Sequence, residues 1–177
     1  MNNKHILVAL VQDEPGVLNR VASLFRRRGF NIDSIAVGHT ETPGLSRMTI
    51  VVADGAGAVE QVRKQLDKLV DVVKVTDVTD EAIVARELAL IKVKSTSSTR
   101  SEIMQIVDIF RANIVDVAPD SLTVEVTGDE DKVESLYQLL RGFGVKEMAR
   151  TGRLAMTRGG LGPLPVEELE TGRQKKP

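Results

Sequence analysis

The segment Gln12-Asp13-Glu14-Pro15-Gly16-Val17 combines residue types that could bind a small zwitterion. It lies between an apolar run of strand length and apolar residues at helical spacing, so the first helix should begin here. The first amides of a helix have no acceptor within the helix and, with the helix dipole, they attract carboxylates. Gly16 would let a ligand approach the backbone, and the Asp13 carboxylate could cap the helix or pair with an ammonium group. The segment is therefore a candidate amino-acid site.

The same pattern is also typical of a plain helix start, because a capping Asp with Pro in the first turn needs no ligand. Asn31, two residues after Gly29, has a similar ambiguity, since Asn after a helix often closes a turn with its own backbone. Taken alone, the residues leave ligand binding and local structure open as alternatives at both positions.

The sequence offers few residues for catalysis or metal binding. It has no cysteine, and its two histidines, His5 and His39, lie in no metal-spaced or nucleophile-bearing motif. The segment Gly55-Ala56-Gly57 begins a helical pattern, but Glu60 stands where a dinucleotide-binding motif needs its third glycine. We therefore expect no catalytic residue, no metal ion and no cofactor in this chain.

The composition narrows the class of partner. The 24 basic and 25 acidic residues leave a net charge of -1, so we expect neither nucleic acid nor a membrane as a partner. The first residues lack the pattern of a signal peptide, and no apolar run reaches transmembrane length. A chain without cysteine suits a reducing compartment, so the cytoplasm is the expected location.

The first half of the chain predicts the element order βαββαβ. Its apolar patterns and turn residues indicate a strand at 6–11, a helix at 15–28, hairpin strands at 30–37 and 46–53, a helix at 59–69 and a strand at 70–78. This order folds as a four-stranded antiparallel sheet with both helices on one face, which is a ferredoxin-like α+β fold. Because the strands are apolar on both faces, we expect the other face to meet a second sheet or a subunit, which predicts oligomerisation.

The second half repeats this order, which predicts two tandem ferredoxin-like domains. Its elements are strands at 88–93, 114–118 and 122–126, helices at 103–110 and 129–140, and one extended run at 145–156. The predicted organisation is a first domain at 1–79, a linker at 80–87, a second domain at 88–157 and a mobile tail at 158–177.

A family resemblance is carried by several segments. Residues 11–21, Val-Gln-Asp-Glu-Pro-Gly-Val-Leu-Asn-Arg-Val, resemble the opening of the ACT domain, a fold that senses small molecules. Further segments, in matching order and spacing, are similar to the small subunit of acetolactate synthase, also called acetohydroxyacid synthase. They are Leu-Phe-Arg-Arg-Arg-Gly-Phe-Asn-Ile-Asp-Ser-Ile at 24–35, Leu-Ser-Arg-Met-Thr-Ile at 45–50, Gln-Leu-Asp-Lys-Leu-Val-Asp-Val at 65–72, Arg-Glu-Leu-Ala-Leu-Ile-Lys-Val at 86–93, Ile-Phe-Arg-Ala-Asn-Ile-Val-Asp-Val at 109–117 and Ala-Arg-Thr-Gly at 149–152. Only the tail lies outside the resemblance.

The resemblance implies a non-catalytic regulatory subunit. Such a subunit activates a separate thiamine-diphosphate-dependent catalytic subunit and confers feedback inhibition by valine or another branched-chain amino acid. Thiamine diphosphate, Mg and FAD would belong to the catalytic subunit only. The resemblance also implies a homodimer through the ACT domains, with effector sites between the two chains.

Carried over to this sequence, each effector site takes Asp13, Gly16 and Val17 from one chain and Asn31 and Ile32 from its partner. In this assignment the two polar side chains contact the effector, the amides near Gly16 and Val17 hold its carboxylate, and Ile32 lines an apolar pocket. Relatives often carry Asn where this sequence has Asp13. An ionised carboxylate cannot donate a hydrogen bond to the effector carboxylate and would repel it at short range, so Asp13 must face the ammonium group or the helix amides.

Two other functions would suit parts of this sequence. An amino-acid-binding effector domain of another system, such as a transcriptional regulator, would fit the loop, but the chain lacks a DNA-binding element. A small ferredoxin-like phosphatase should carry positive charge in the anion-binding loop after its first strand, whereas this loop is acidic.

Overall fold

A computed structural model describes residues 4–53 and 56–159, apart from the side chains of residues 56 and 58. The chain divides into two compact units. The first unit comprises Met1–Val84 and Arg153–Pro177, and the second comprises Ala85–Gly152. In each unit, four strands and two helices follow one another in the order βαββαβ, which confirms the predicted tandem ferredoxin-like folds of the α+β class.

The first unit contains one antiparallel sheet with two helices on one face. Its elements are β1 (Lys4–Gln12), α1 (Val17–Arg28), β2 (Ile32–His39), β3 (Leu45–Ala53), α2 (Ala56–Leu66) and β4 (Val72–Asp77). The strand order β2-β3-β1-β4 places the first strand in the interior of the sheet. Alternate residues of β1 point toward the helices and form the core with the apolar faces of α1 and α2, because side chains of a strand alternate between its two faces. This core holds the start of α1 against the sheet.

The opposite face of this sheet is also buried within the single chain. Its residues on β1 are Ile6, Val8 and Leu10, which are 6%, 2% and 9% exposed. On this face a guanidinium nitrogen of Arg47 donates to the carbonyl of Ala155 at 2.6 Å, and the amide of Arg153 donates to the hydroxyl of Ser34 at 3.3 Å. Burial lowers the pKa of the Arg47 guanidinium, and the charge of Glu41 opposes that effect. Since one chain already buries this face, its apolar character does not by itself require a second subunit, and oligomerisation stays a prediction.

The second unit has the same topology as the first. Its elements are β5 (Ile83–Lys94), α3 (Arg100–Ile109), β6 (Asn113–Ala118), β7 (Ser121–Gly128), α4 (Glu130–Arg141) and β8 (Val145–Arg150), with the first two residues of β5 in the first unit. The strand order is β6-β7-β5-β8. Asp129 caps α4 by accepting a hydrogen bond from the amide of Lys132 at 2.9 Å, and the first turn of this helix is acidic.

Two predicted boundaries need correction. The linker predicted at 80–87 overlaps β5, which begins at Ile83. Charged residues misled the prediction, because Glu87 is buried in the strand and forms an ion pair with Arg150 on β8. The extended run predicted at 145–156 is two strands, β8 and β9 (Leu154–Thr157), separated by residues 151–153, where Gly152 has φ 80°. Residues 153–157, predicted as part of the second domain, belong to the first unit.

The predicted tail at 158–177 lies mostly outside the described residues, which end at 159. Arg158 is held in place, because its amide donates to the carbonyl of Ala82 at 2.6 Å and its Nε donates to the carbonyl of Ile83 at 3.0 Å. Among the helices in the described part of the chain, none is both long and apolar enough to cross a membrane.

The turn between α4 and β8 predicts opposite responses to alanine at two neighbouring glycines. Gly142 has right-handed helical angles, φ -61° and ψ -26°, whereas Gly144 has φ 97°, which side chains rarely tolerate. We expect Gly142→Ala to raise the free energy of unfolding by about 0.4–1 kcal/mol, because it restricts only the unfolded chain. Gly144→Ala should lower it by about 1–2 kcal/mol through backbone strain. Urea unfolding followed by circular dichroism measures both, and changes of the same sign would contradict the assignment.

Candidate functional site

The loop after β1 ends in a left-handed turn at Gly16. Gly16 has φ 90° and precedes the first helical residue, so α1 begins at Val17 and not at residue 15 as predicted. The amide of Val17 bonds weakly to the carbonyl of Glu14 at 3.4 Å, and the amide of Arg20 bonds to the carbonyl of Gly16 at 3.0 Å. Between them, the amides of Leu18 and Asn19 have no acceptor among the described residues. These two donors are available to a carboxylate at the helix dipole.

Asp13 is tied to the β2–β3 hairpin and does not cap α1, so the predicted capping role was wrong. The hydroxyl of Ser46 donates to its Oδ1 at 3.2 Å, and Nδ1 of His39 lies 3.2 Å from its Oδ2. Its backbone amide donates to the carbonyl of Gly44 at 2.9 Å. The hairpin attracts the side chain because its two strand ends offer a hydroxyl and an imidazole, while the Gly16 turn separates Asp13 from the helix amides. The Asp13 side chain remains 44% exposed, so a ligand can reach it.

An ion pair flanks the same loop on its other side. Nε of Arg20, in the first turns of α1, lies 3.0 Å from Oδ2 of Asp71, whose side chain is only 7% exposed. The backbone carbonyl of Asp71 accepts a hydrogen bond from the amide of Gln12 at 2.8 Å. The apolar spacing of α1 gave no sign of this pairing. The available signal was Asp71 itself, a single acid within the apolar run at 69–73.

Asn31 and Ile32 lie far from the loop in the same chain. Ile32 begins β2 opposite Val52, whereas His39, which contacts Asp13, ends the strand opposite Ser46. Seven residues of strand separate the two ends, a distance of about 20 Å. Asn31 is exposed, and Ile32 is half-buried and packs against the core of its own unit. One chain therefore brings Asp13, Gly16 and Val17 together but leaves Asn31 and Ile32 apart from them.

The groups around Gly16 are of the kind that bind a charged ligand. Open amides, an accessible carboxylate and a cation surround Gly16, which suits a ligand that carries both charges. Nowhere in the described ranges do three or more His, Cys, Asp or Glu side chains cluster so that they could hold a metal ion.

Similarity to known proteins extends over both units. The family model "AHAS small subunit-like ACT domain" matches residues 7–74, and the model "Small subunit of acetolactate synthase" matches residues 86–159. A Methanothermobacter thermautotrophicus protein named "Probable acetolactate synthase small subunit" is 58% identical over 156 residues, which cover 88% of this chain and 93% of that protein. The acetolactate synthase small subunit of Bacillus subtilis is 55% identical over 157 residues, covering 88% of this chain and 91% of that protein.

A solved structure extends the agreement to three dimensions. The crystal structure of the acetolactate synthase small subunit from Thermotoga maritima superposes with a TM-score of 0.81 at 47% sequence identity. The match covers 89% of this chain and 99% of that one, so it includes both units. From these matches and the shared fold, the chain belongs to the family of acetolactate synthase small subunits, and its first unit is an ACT domain.

Proposed function

We propose that this chain is the non-catalytic regulatory subunit of an acetolactate synthase. It activates a thiamine-diphosphate-dependent catalytic subunit and confers feedback inhibition by a branched-chain amino acid, with valine the first candidate. Family membership supports the pairing with a catalytic subunit. The observation that carries the sensing role is the loop at Gly16, where open helix amides lie between an accessible acid and a cation. The thiamine diphosphate, Mg and FAD of the holoenzyme remain proposals for the catalytic subunit alone, and a cytoplasmic location remains a prediction.

The position of β2 supports a site that two chains share. Among the described strands, β2 pairs only with β3 and forms one edge of the sheet, so the hydrogen-bonding groups of its other edge are open. If two copies of β2 pair antiparallel across a two-fold axis, the start of one strand lies beside the end of the other. The partner subunit's Ile32 would then lie near His39, which contacts Asp13. This arrangement closes the distance of about 20 Å that separates the two halves within one chain.

The charges of the loop suggest how an amino acid would lie in the site. The effector carboxylate would bind the amides of Leu18 and Asn19 at the start of α1, where the dipole favours an anion. Its ammonium group would pair with Asp13, which Ser46 and His39 hold away from those amides. The branched side chain would meet the partner subunit's Ile32. Asn31 of the partner subunit would supply the remaining polar contact.

Regulation follows if the effector binds one quaternary arrangement better than the other. Such a preference shifts the holoenzyme toward its less active state, with a coupling of about 1–3 kcal/mol in typical allosteric systems. A site shared between chains is suited to this task, because it senses the relative position of the two ACT domains directly. An effector domain of a different regulatory system and a small phosphatase remain the alternatives. The family match favours neither of them.

Removal of the Asp13 carboxylate should weaken effector binding. We expect Asp13→Ala to raise the dissociation constant for valine about tenfold, because a charge-assisted contact to the ammonium group is lost. Glu14→Ala is the matched control, since it removes the same charge from the next exposed residue. Calorimetry on the full chain measures both, and thermal unfolding checks that each variant is folded. Equal affinities for the two variants would contradict the assignment of Asp13.

Mixed dimers test whether the site is shared. Asp13→Ala and Asn31→Ala each damage every site in their own homodimers. In a mixed dimer, one site carries both changes while the other is intact, because each site takes Asp13 from one chain and Asn31 from the other. When the two homodimers exchange chains at random, about half of the dimers become mixed. About a quarter of all sites should therefore regain normal valine affinity. A site built within one chain would show no restoration on mixing, and calorimetry before and after exchange distinguishes the two.

The regulatory role itself is tested with the cognate catalytic subunit. Addition of the chain should raise acetolactate formation, and valine should lower it again only when the chain is present. Leucine and isoleucine serve as parallel effectors, since the loop identifies an amino acid but not its side chain. If addition of the chain leaves the rate of acetolactate formation by the catalytic subunit unchanged, the proposed function is overturned.

A further inference from the structure

We infer that Arg20 is an effector-binding residue, whose guanidinium group, held by the buried carboxylate of Asp71, receives the carboxylate of the amino acid. This inference rests on the proposed function and adds a residue to its site. It also defines the ligand class more narrowly, because a molecule without a free carboxylate would lose the contact.

The guanidinium group of Arg20 lies at the open start of α1. Side chains of a helix lean toward its N-terminus, so an arginine one turn into the helix reaches back over the first residues. Nη2 of Arg20 would lie 3.7 Å from a Cβ added to Gly16. The cation is therefore beside the left-handed turn, where the amides of Leu18 and Asn19 have no acceptor among the described residues.

Asp71 fixes the guanidinium group without using up its donors. The Asp71 side chain is 93% buried, and a buried carboxylate is stable only when a cation or hydrogen bonds compensate its charge. Nε of Arg20 lies 3.0 Å from Oδ2, but the two groups are not aligned for a hydrogen bond, so the attraction is one of charge. The Arg20 side chain is 47% exposed. Its terminal N–H groups thus face the loop as a fork that matches a carboxylate in two-point geometry.

Asp13 and Arg20, on the two sides of the loop, then orient a zwitterion. The hairpin holds the acid Asp13 on one side of Gly16, and the start of β4 holds the base Arg20 on the other. An amino acid placed between them would pair its ammonium group with the first and its carboxylate with the second. The Arg20 cation thereby counters the repulsion that Asp13 would exert on the effector carboxylate at short range.

Valine and valinamide, tested against two arginine variants, separate this role from a structural one. Valinamide keeps the side chain and the ammonium group but lacks the anionic carboxylate. Calorimetry on the full wild-type chain should show valine binding about tenfold more tightly than valinamide. In Arg20→Gln we expect valine affinity to fall about tenfold while valinamide affinity changes little, so that the preference disappears.

Arg27→Gln is the matched control, because it removes the same charge from an exposed position in the last turn of α1. It should keep the preference for valine. Arg20→Lys keeps the charge without the planar fork and should retain part of it. Thermal unfolding shows which variants are folded, and should Arg20→Gln unfold, Arg20→Lys carries the test.

The outcomes distinguish the inference from the proposed function. If the wild-type chain binds valine and the folded Arg20 variants keep its full preference over valinamide, the assignment of Arg20 is overturned while amino-acid sensing stands. If the wild-type dimer binds none of valine, leucine and isoleucine, both are overturned. A preference lost in Arg20→Gln and kept in Arg27→Gln supports the inference.

Discussion

The structure depends on how the end of β1 is fixed. The adjacent amides of Gln12 and Asp13 bond in different directions, one to the carbonyl of Asp71 before β4 and the other to the carbonyl of Gly44 in the β2–β3 hairpin. These bonds tie the last residue of an interior strand to both of its neighbours in the sheet. The chain then leaves the sheet at one point, and the left-handed turn at Gly16 sets the direction of α1. The open helix amides that we propose as donors to the ligand carboxylate follow from that turn.

Charge placement around the turn follows the same logic. Asp13 and Arg20 are close in sequence, yet each is held by a residue from a different part of the sheet, one in the hairpin and one before β4. Exposed ion pairs contribute little to stability because water screens them. The buried Asp71 differs, since an uncompensated buried charge is costly. The sheet thus holds two opposite charges on either side of an open helix start. These charges lie outside the apolar core that supports them.

The two units show that one topology can carry different loops after its first strand. Both have the strand order that follows from βαββαβ, and both bury one sheet face under two helices. They differ at the first turn after the first strand. In the second unit, Thr99 precedes α3 and has no left-handed turn, so the chain enters that helix without the open glycine loop found at Gly16. The fold alone therefore does not create the open loop that we propose as an amino-acid site, because that loop depends on its own residues.

The sequence by itself determined the order of the elements, the tandem fold and the loop at Asp13 and Gly16, because apolar periodicity and turn residues act over short stretches of chain. Tertiary structure decided what those residues contact. The partners of Asp13 and Arg20 come from segments distant in sequence, and local pattern does not show which side chains meet there. The tertiary structure also showed that the charged residue Glu87 lies within a strand, because Arg150 compensates the cost of burying its carboxylate. The separation of Asn31 from the loop is likewise a property of the sheet, because the length of β2 sets it.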